Sequence, residues 1–144
     1  MLVAEEIRAL IVDDNAYARS SAAASLRRLG LAQITETSTA PDALLALMAE
    51  PFGVLLLDWY LPDMNGASLL RIIRDARFGP HGQLCTIVMT AYPSREVFAA
   101  ARSLGATAAL PKPLATTPLA SILQRQLHRP AHGGLYGFSG VLTV

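Results

Sequence analysis

The stretch VLLLDWYLPDMNG, residues 54–66, decides the interpretation of the whole chain. Four apolar residues lead directly to Asp58, and a segment rich in turn-forming residues follows. A short apolar run bounded by turn signals is typical of a strand buried on both faces, as in a parallel sheet covered by helices. Ligands bind at the carboxyl ends of the strands in such sheets. Asp58 is therefore a candidate functional carboxylate, although a strand-end Asp can also simply cap a turn.

The composition indicates one globular domain of ordinary size. The chain has 144 residues, of which 52% are hydrophobic and 16% charged, with a mean hydropathy of +0.36 and a net charge of +1. These values exclude general disorder, and no block of Lys or Arg is long enough to predict a nucleic-acid surface. We expect neither a membrane span, which needs roughly 18 apolar residues, nor a secretory leader. Because the single Cys85 has no disulfide partner within the chain, we expect a reduced, cytoplasmic protein.

Strand and helix patterns alternate along the chain. Apolar runs predict strands over residues 7–12, 33–38, 54–57, 84–89 and 107–110. Apolar positions spaced by three and four predict a helix after each strand. In the second helix we expect Leu44, Leu45 and Met48 to face the core, and we expect the last helix to start at Pro118 after a Thr117 cap. Five β-α units predict a doubly wound, five-stranded parallel sheet between two helix layers.

The residues at the strand ends form a set with a common chemistry. Right-handed crossovers place all five carboxyl ends on the same edge of the sheet. The polar residues there are Asp13, Asp14, Asp58, Thr90 and Lys112. Carboxylates this close repel each other unless a cation lies between them. Mg²⁺ is the expected ion, with Mn²⁺ as an alternative, because Mg²⁺ takes few protein carboxylates and keeps waters that phosphate oxygens can replace. Asp58 is then placed to attack phosphorus, opposite a hydroxyl and an ammonium that bind an anion.

With these motifs the chain resembles the response-regulator receiver domains of two-component signalling, over about residues 7–128. The matching segments are IVDD (11–14), LLDWYLPDMNG (56–66), VMTA (88–91), GA (105–106) and LPKP (110–113). The resemblance implies a flavodoxin-like (βα)5 fold as a single domain over residues 1–128, with a Gly-rich tail at 129–144 and no output domain. It also implies that a histidine kinase or a histidine phosphotransfer protein transfers a phosphoryl group to Asp58.

The resemblance further assigns roles to individual groups. Mg²⁺ would be held by three carboxylates and one backbone carbonyl, those of Asp13, Asp14, Asp58 and Tyr60. The phosphoryl oxygens would be bound by Thr90 and Lys112, and the bond to Pro113 is a candidate cis peptide. Such a protein is not a conventional enzyme. It catalyses its own phosphorylation, loses the phosphoryl group slowly, and signals through altered association with a partner or with itself.

One departure from the family concerns the conformational switch. The family usually has Tyr or Phe three residues before the lysine, and its ring turns inward when the strand-end threonine moves. Here that position is Ala109, which has no ring. Tyr92 and Phe98 are the candidates to replace it. A receiver-like scaffold that works without phosphate therefore stays open as an alternative function.

A second departure concerns the lifetime of the phosphoryl group. The residues two after the aspartate and two after the threonine flank the path of the attacking water in the family. Both are tyrosines here, Tyr60 and Tyr92, and bulky rings should hinder that water. We therefore expect slow autodephosphorylation, unless the rings point to solvent. Tyr60 also occupies the place of the second aspartate that aspartyl phosphohydrolases need as a general acid, which argues against hydrolysis as the alternative activity.

The last helix is the third departure. The predicted helix over residues 118–128 carries no Asp or Glu. The salt-bridge network through which many transcriptional regulators dimerise is therefore incomplete, and we expect a stand-alone signalling module without direct contact to nucleic acid or membrane. A homodimer stays open because the apolar content is high. A nucleotide-binding function is not supported, since neither G-x-x-x-x-G-K-[ST] nor G-x-G-x-x-G occurs.

Overall fold

Strands and helices alternate through the residues that the computed structural model describes, 4–75 and 84–127. The strands are β1 (Arg8–Val12), β2 (Gln33–Thr37), β3 (Val54–Asp58), β4 (Cys85–Thr90) and β5 (Ala108–Pro111). The helices are α1 (Ala16–Arg28), α2 (Ala40–Ala49), α3 (Gly66–Arg74), α4 (Arg95–Ser103) and α5 (Thr116–Leu127), preceded by a 3-10 turn at Ala4–Glu6. Within these ranges no helix combines the length and the apolarity that crossing a membrane requires. The predicted tail at 129–144 lies outside the described residues.

The strands form one parallel sheet in the order β2-β1-β3-β4-β5. This confirms the predicted flavodoxin-like (βα)5 fold. The chain moves outward to β2 after β1 and to the opposite side after β3, so the order reverses between β1 and β3. Clefts for ligands form at such a switch point, beyond the carboxyl ends of the strands. Asp13 follows β1 and Asp58 ends β3, so both carboxylates lie at the switch point.

The central strand β3 is buried on both faces. All five of its residues are buried, because successive side chains point to opposite faces and helices cover each face. Val54 and Leu56 pack in the cluster formed with α1 and α5. Leu55 and Leu57 pack in the other cluster, with α2, α3 and α4. The continuous apolar run before Asp58 is thus explained by two helix layers rather than one.

The prediction of which α2 residues face the core is partly wrong. Leu45 and Met48 are 63% and 69% exposed, whereas Ala40, Ala43 and Leu47 are the buried residues of this helix. Small alanine side chains let the helix backbone approach the sheet closely, so they occupy the core positions. Leu47 and, in part, Leu44 share this inner side, whereas Leu45 and Met48 lie on the outward side of the helix.

The start of α5 also differs from the prediction. The helix begins at Thr116, so Thr117 is inside the helix rather than its cap. Pro118 still lies in the first turn, where the backbone N–H has no partner within the helix and its absence is tolerated.

The loop between β3 and α3 leaves no room for a side chain at Gly66. Asn65 caps α3 by accepting a hydrogen bond from the Ser68 N–H, and the Gly66 N–H donates to the Trp59 carbonyl at 2.8 Å. A Cβ at Gly66 would lie 3.0 Å from Trp59 Cα and 3.2 Å from the Asp58 carbonyl oxygen. Because these are backbone atoms next to the candidate site, they have little freedom to move.

We therefore expect Gly66→Ala to lower the free energy of unfolding by about 1–3 kcal/mol, since the backbone of Asp58 and Trp59 has to shift. Urea denaturation followed by Trp59 fluorescence measures the change. Gly53→Ala is the matched control, because its Cβ would meet only the Ile7 side-chain methyl at 3.3 Å and the Arg8 carbonyl at 3.9 Å. Equal losses in the two variants would show that the Gly66 packing is not the cause.

Candidate functional site

Three carboxylates meet at the carboxyl edge of β1 and β3. Asp13, Asp14 and Asp58 each offer an oxygen, and these atoms all lie within 4.8 Å of one another. Asp13 is fully buried and Asp58 is 4% exposed, whereas Asp14 is open to solvent. The Asp13 Oδ1 accepts a hydrogen bond from the Asn15 N–H at 2.9 Å, which fixes the carboxylate in the turn before α1. The cluster is thus fixed on its inner side and open on its outer side.

Lys112 lies between the two buried carboxylates. Its Nζ is 2.6 Å from Asp13 Oδ2 and 3.3 Å from Asp58 Oδ1. The Lys112 backbone N–H donates to the Thr90 carbonyl at 2.8 Å, which ties the end of β5 to β4. The Lys112–Pro113 peptide bond is cis. The ammonium therefore joins the ends of three strands at one point.

The electrostatic environment keeps Asp58 easy to protonate and Lys112 charged. Burial and then the nearby charge of Asp13 raise the pKa of Asp58 to about 6 from 3.8, although Lys112 and the Tyr60 N–H oppose the shift. Burial lowers the pKa of Lys112, but its contacts with Asp13 and Asp58 outweigh burial and raise that pKa overall. One ammonium thus does not fully compensate the buried negative charge.

The donor set fits a hard divalent cation. All three side chains offer carboxylate oxygens, which are the ligands that Mg²⁺ prefers. The Asp13 Oδ2 is buried and accepts no well-directed hydrogen bond, even though the Lys112 ammonium lies close to it. It therefore keeps electron pairs available to a cation. A second positive charge here would relieve the same repulsion that raises the pKa of Asp58.

Thr90 and Tyr92 belong to the adjacent loop after β4. Thr90 is fully buried, and its Oγ1 accepts a hydrogen bond from the Tyr92 N–H at 3.0 Å. The Asp58 Oδ1 accepts in the same way from the Tyr60 N–H at 3.2 Å. The two tyrosine rings contact each other edge to face, with centroids 5.9 Å apart and an interplanar angle of 80°. Both side chains are also largely exposed, Tyr60 at 51% and Tyr92 at 72%.

Ala109 leaves a cavity beside β5. Its volume is about 80 Å³, and its lining consists of Phe98, Arg102, Ala106, Ala108 and Ala109. Phe98 is partly buried against the same core cluster as Ala109. The Phe98 ring therefore lies beside the position where the family usually has an aromatic residue.

Arg19 joins the site in the structure without having been predicted from the sequence. Its Nη1 donates to the Asp13 carbonyl at 2.8 Å, and its Nε lies 3.7 Å from Glu36 Oε1. The guanidinium thus ties the loop after β1 to the end of β2. The only sequence signal was an arginine one turn into α1, six residues after Asp13, which has no meaning without the fold.

Comparison with known proteins decides the family. The chain matches the family described as response regulator receiver domain over residues 9–124. The chain belongs to this receiver family. A probable chemotaxis protein CheY of Rhizobium etli is 31% identical over 114 residues, which cover 78% of this chain and 86% of that protein.

Solved structures agree with this assignment. The chemotaxis protein CheY4 of Vibrio cholerae has a TM-score of 0.73 at 25% identity, covering 84% of this chain and 98% of that one. The BeF3-activated DrrB receiver domain has a TM-score of 0.71 at 26% identity, covering 90% and 100%. The chain is thus a CheY-like receiver domain, of a signalling family rather than a class of conventional enzymes.

We expect the metal-free receiver to be stabilised by Asp58→Asn at about pH 8, by about 1–2 kcal/mol. A carboxyl whose pKa is raised by folding favours the folded state at low pH, and this contribution is lost as the pH rises through about 6. The ionised Asp58 is therefore unfavourable at pH 8, and the amide removes that charge. The gain should shrink towards zero at about pH 4, where Asp58 is largely protonated in the folded protein.

Urea denaturation in EDTA at both pH values measures these free energies of unfolding. Asp63→Asn is the control, because Asp63 is an exposed carboxylate in the following loop and its change should stay within about 0.5 kcal/mol. A gain for Asp58→Asn that is equal at both pH values would contradict the electrostatic explanation.

Proposed function

We propose that this receiver domain accepts a phosphoryl group on Asp58 and signals by changing its association with a partner or with itself. The observation that carries the proposal is the position of the Lys112 ammonium, in contact with Asp13 and Asp58 at the mouth of an acidic cluster. The geometry suits a reaction in which negative charge on phosphoryl oxygens develops next to a fixed cation.

The phosphodonor would be a phosphohistidine on a histidine kinase or a histidine phosphotransfer protein. An oxygen of Asp58 attacks phosphorus, the P–N bond breaks, and the imidazole leaves with the electron pair and takes up a proton. Lys112 would pair with one phosphoryl oxygen, and the Thr90 hydroxyl would donate a hydrogen bond to another. This arrangement leaves an acyl phosphate on Asp58 and a neutral histidine on the donor.

Mg²⁺ would be held by Asp13, Asp14 and Asp58, with the Tyr60 carbonyl as a further ligand, and Mn²⁺ would fit the same oxygens. When bound, the ion would neutralise negative charge on the phosphoryl group during its transfer. The residues of the chain do the rest: Asp13 holds the Lys112 ammonium, Lys112 contacts Asp58, and burial keeps bulk water away from Asp58.

The domain would act in the cytoplasm, through a protein partner. We propose that the chain divides into a receiver domain over residues 1–128 and a tail over residues 129–144. We place the phosphotransfer in the cytoplasm, which is supported by the buried, unpaired thiol of Cys85. A partner protein or a second copy of the chain, rather than nucleic acid or membrane, would receive the signal.

Beryllofluoride with Mg²⁺ tests the phosphoacceptor directly. We expect it to change the fluorescence of Trp59, which is 9% exposed and follows Asp58. The structural relative DrrB is described as BeF3-activated, which supports the choice of reagent. Asp58→Asn should abolish the response, and the apparent mass should be measured in parallel to detect self-association. A wild type that behaves like Asp58→Asn would overturn the proposal and favour a phosphate-independent scaffold.

A long phosphoryl lifetime is a separate expectation. If the bulky side chains of Tyr60 and Tyr92 hinder the attacking water in the phosphorylated state, then acetyl phosphate should produce a phosphoprotein that lasts well beyond seconds without phosphatase. Tyr92→Ala should shorten this lifetime several-fold, whereas Tyr92→Phe should leave it unchanged because the ring is retained. Loss of the phosphoryl group within seconds in the wild type would contradict this role.

A further inference from the structure

Two tyrosines occupy equivalent places in the loops after β3 and β4. Each is two residues beyond a strand-end side chain, and its backbone N–H donates to an oxygen of that side chain. The acceptors are Asp58 Oδ1 for Tyr60, at 3.2 Å, and Thr90 Oγ1 for Tyr92, at 3.0 Å. Side-chain oxygens that bond two residues ahead fix the local turn. The position of each tyrosine therefore depends on an atom that the proposed reaction uses.

The two rings close these turns into one connected unit. Their edge-to-face contact, with centroids 5.9 Å apart, is the arrangement that aromatic pairs prefer. It joins the loop that carries the acceptor to the loop that carries the hydroxyl. Contacts thus connect the two strand ends through Asp58, Tyr60, Tyr92 and Thr90.

The neighbouring strand offers no ring for this task. Ala109 on β5 lines a cavity of about 80 Å³. A movement of Thr90 therefore meets no aromatic side chain from that position. The tyrosine pair is directly hydrogen-bonded to Thr90 through Tyr92, so it is the aromatic group that would respond first.

We propose that the Tyr60–Tyr92 contact is a latch that holds the resting state of the receiver and opens when Asp58 carries a phosphoryl group. The inference rests on the proposed function. Once Asp58 is an acyl phosphate, the negative charge on Oδ1 falls, and the hydrogen bond from the Tyr60 N–H weakens. The Thr90 hydroxyl turns towards a phosphoryl oxygen and draws the Tyr92 backbone with it. Both loops move, the ring contact is lost, and the ring faces become available to a partner.

A contact that exists only in the resting state opposes activation. Its removal should therefore favour the activated state, by linkage. Tyr60→Ala and Tyr92→Ala should each tighten the binding of beryllofluoride in the presence of Mg²⁺ by about 2- to 10-fold, the range expected for one aromatic pair. The double variant should gain no more than either single variant, because the same contact is lost each time.

A phenylalanine variant separates the ring contact from the hydroxyl group. Tyr92→Phe keeps the ring and should bind beryllofluoride as tightly as the wild type. Tyr17→Ala is a control at the same edge of the sheet, since Tyr17 is 83% exposed near the start of α1. It should leave the affinity unchanged. Additive gains in the Tyr60→Ala, Tyr92→Ala double variant would overturn the latch.

Proton NMR of the rings supplies a readout that does not depend on affinity. In the resting protein the edge protons of one ring lie against the face of the other and should show a ring-current shift, which Ala at either position removes. Saturation with beryllofluoride and Mg²⁺ should also remove it. A wild type that binds beryllofluoride with unchanged ring shifts overturns the latch alone. A wild type that binds none overturns the proposed function as well, even though the resting ring contact persists.

Discussion

The site depends on one buried ion-pair arrangement, in which the ammonium of Lys112 contacts the carboxylates of Asp13 and Asp58. These groups come from the ends of three different strands, so their charges hold together parts of the chain that are distant in sequence. Removal of the Lys112 ammonium alone would leave two buried carboxylates without a counter-charge, at a cost of about 3–5 kcal/mol. The arrangement is nevertheless incomplete, because two buried carboxylates share one ammonium. The remaining negative charge is what makes the cluster suitable for a divalent cation.

Burial of apolar side chains on the sheet offsets the free-energy cost of burying these charged groups. Apolar side chains from both faces of β3 pack in two separate clusters, and this burial fixes the strand whose last residue is Asp58. Parallel pairing then aligns Asp58 with Met89, so that Thr90 lies one residue beyond it on β4. The precise spacing of the polar groups is thus a consequence of strand register, which is set by the core and not by the polar groups themselves.

Ala109 leaves β5 without the aromatic ring that the family usually has at this position. A cavity of about 80 Å³ lies beside Ala109, and Phe98 lies at its wall. The ring contact that connects to the site lies instead in the loops that follow β3 and β4. Both tyrosines are largely exposed, so a change in their contact would alter the molecular surface directly. In the proposed mechanism the same rings would also flank the path of the attacking water, which would link the surface to the lifetime of the phosphoryl group.

Much of the fold and the candidate site could be predicted from local patterns. Residues 54–57 indicated a strand buried on both faces, and the strand ends predicted which polar groups meet at this edge, although the contacts of Lys112 with both buried carboxylates appear only in the structure. The face of α2 could not be predicted, because alanines and leucines both suit a helix interior and only the approach of the helix to the sheet selects Ala40 and Ala43. Helix ends were uncertain for a similar reason, since Thr116 and Thr117 are equally suitable near a start.

The sequence by itself determined the fold class, the order of the elements and the identity of the acidic cluster, because these follow from the periodicity of apolar residues and from the handedness of the crossovers. Only the tertiary structure decided the contacts between elements that no periodicity links. These include Arg19 on the carbonyl of Asp13, the raised pKa of Asp58, and the edge-to-face contact of Tyr60 with Tyr92. Each depends on distances between side chains of different loops, and those distances are set by packing and register rather than by spacing along the chain.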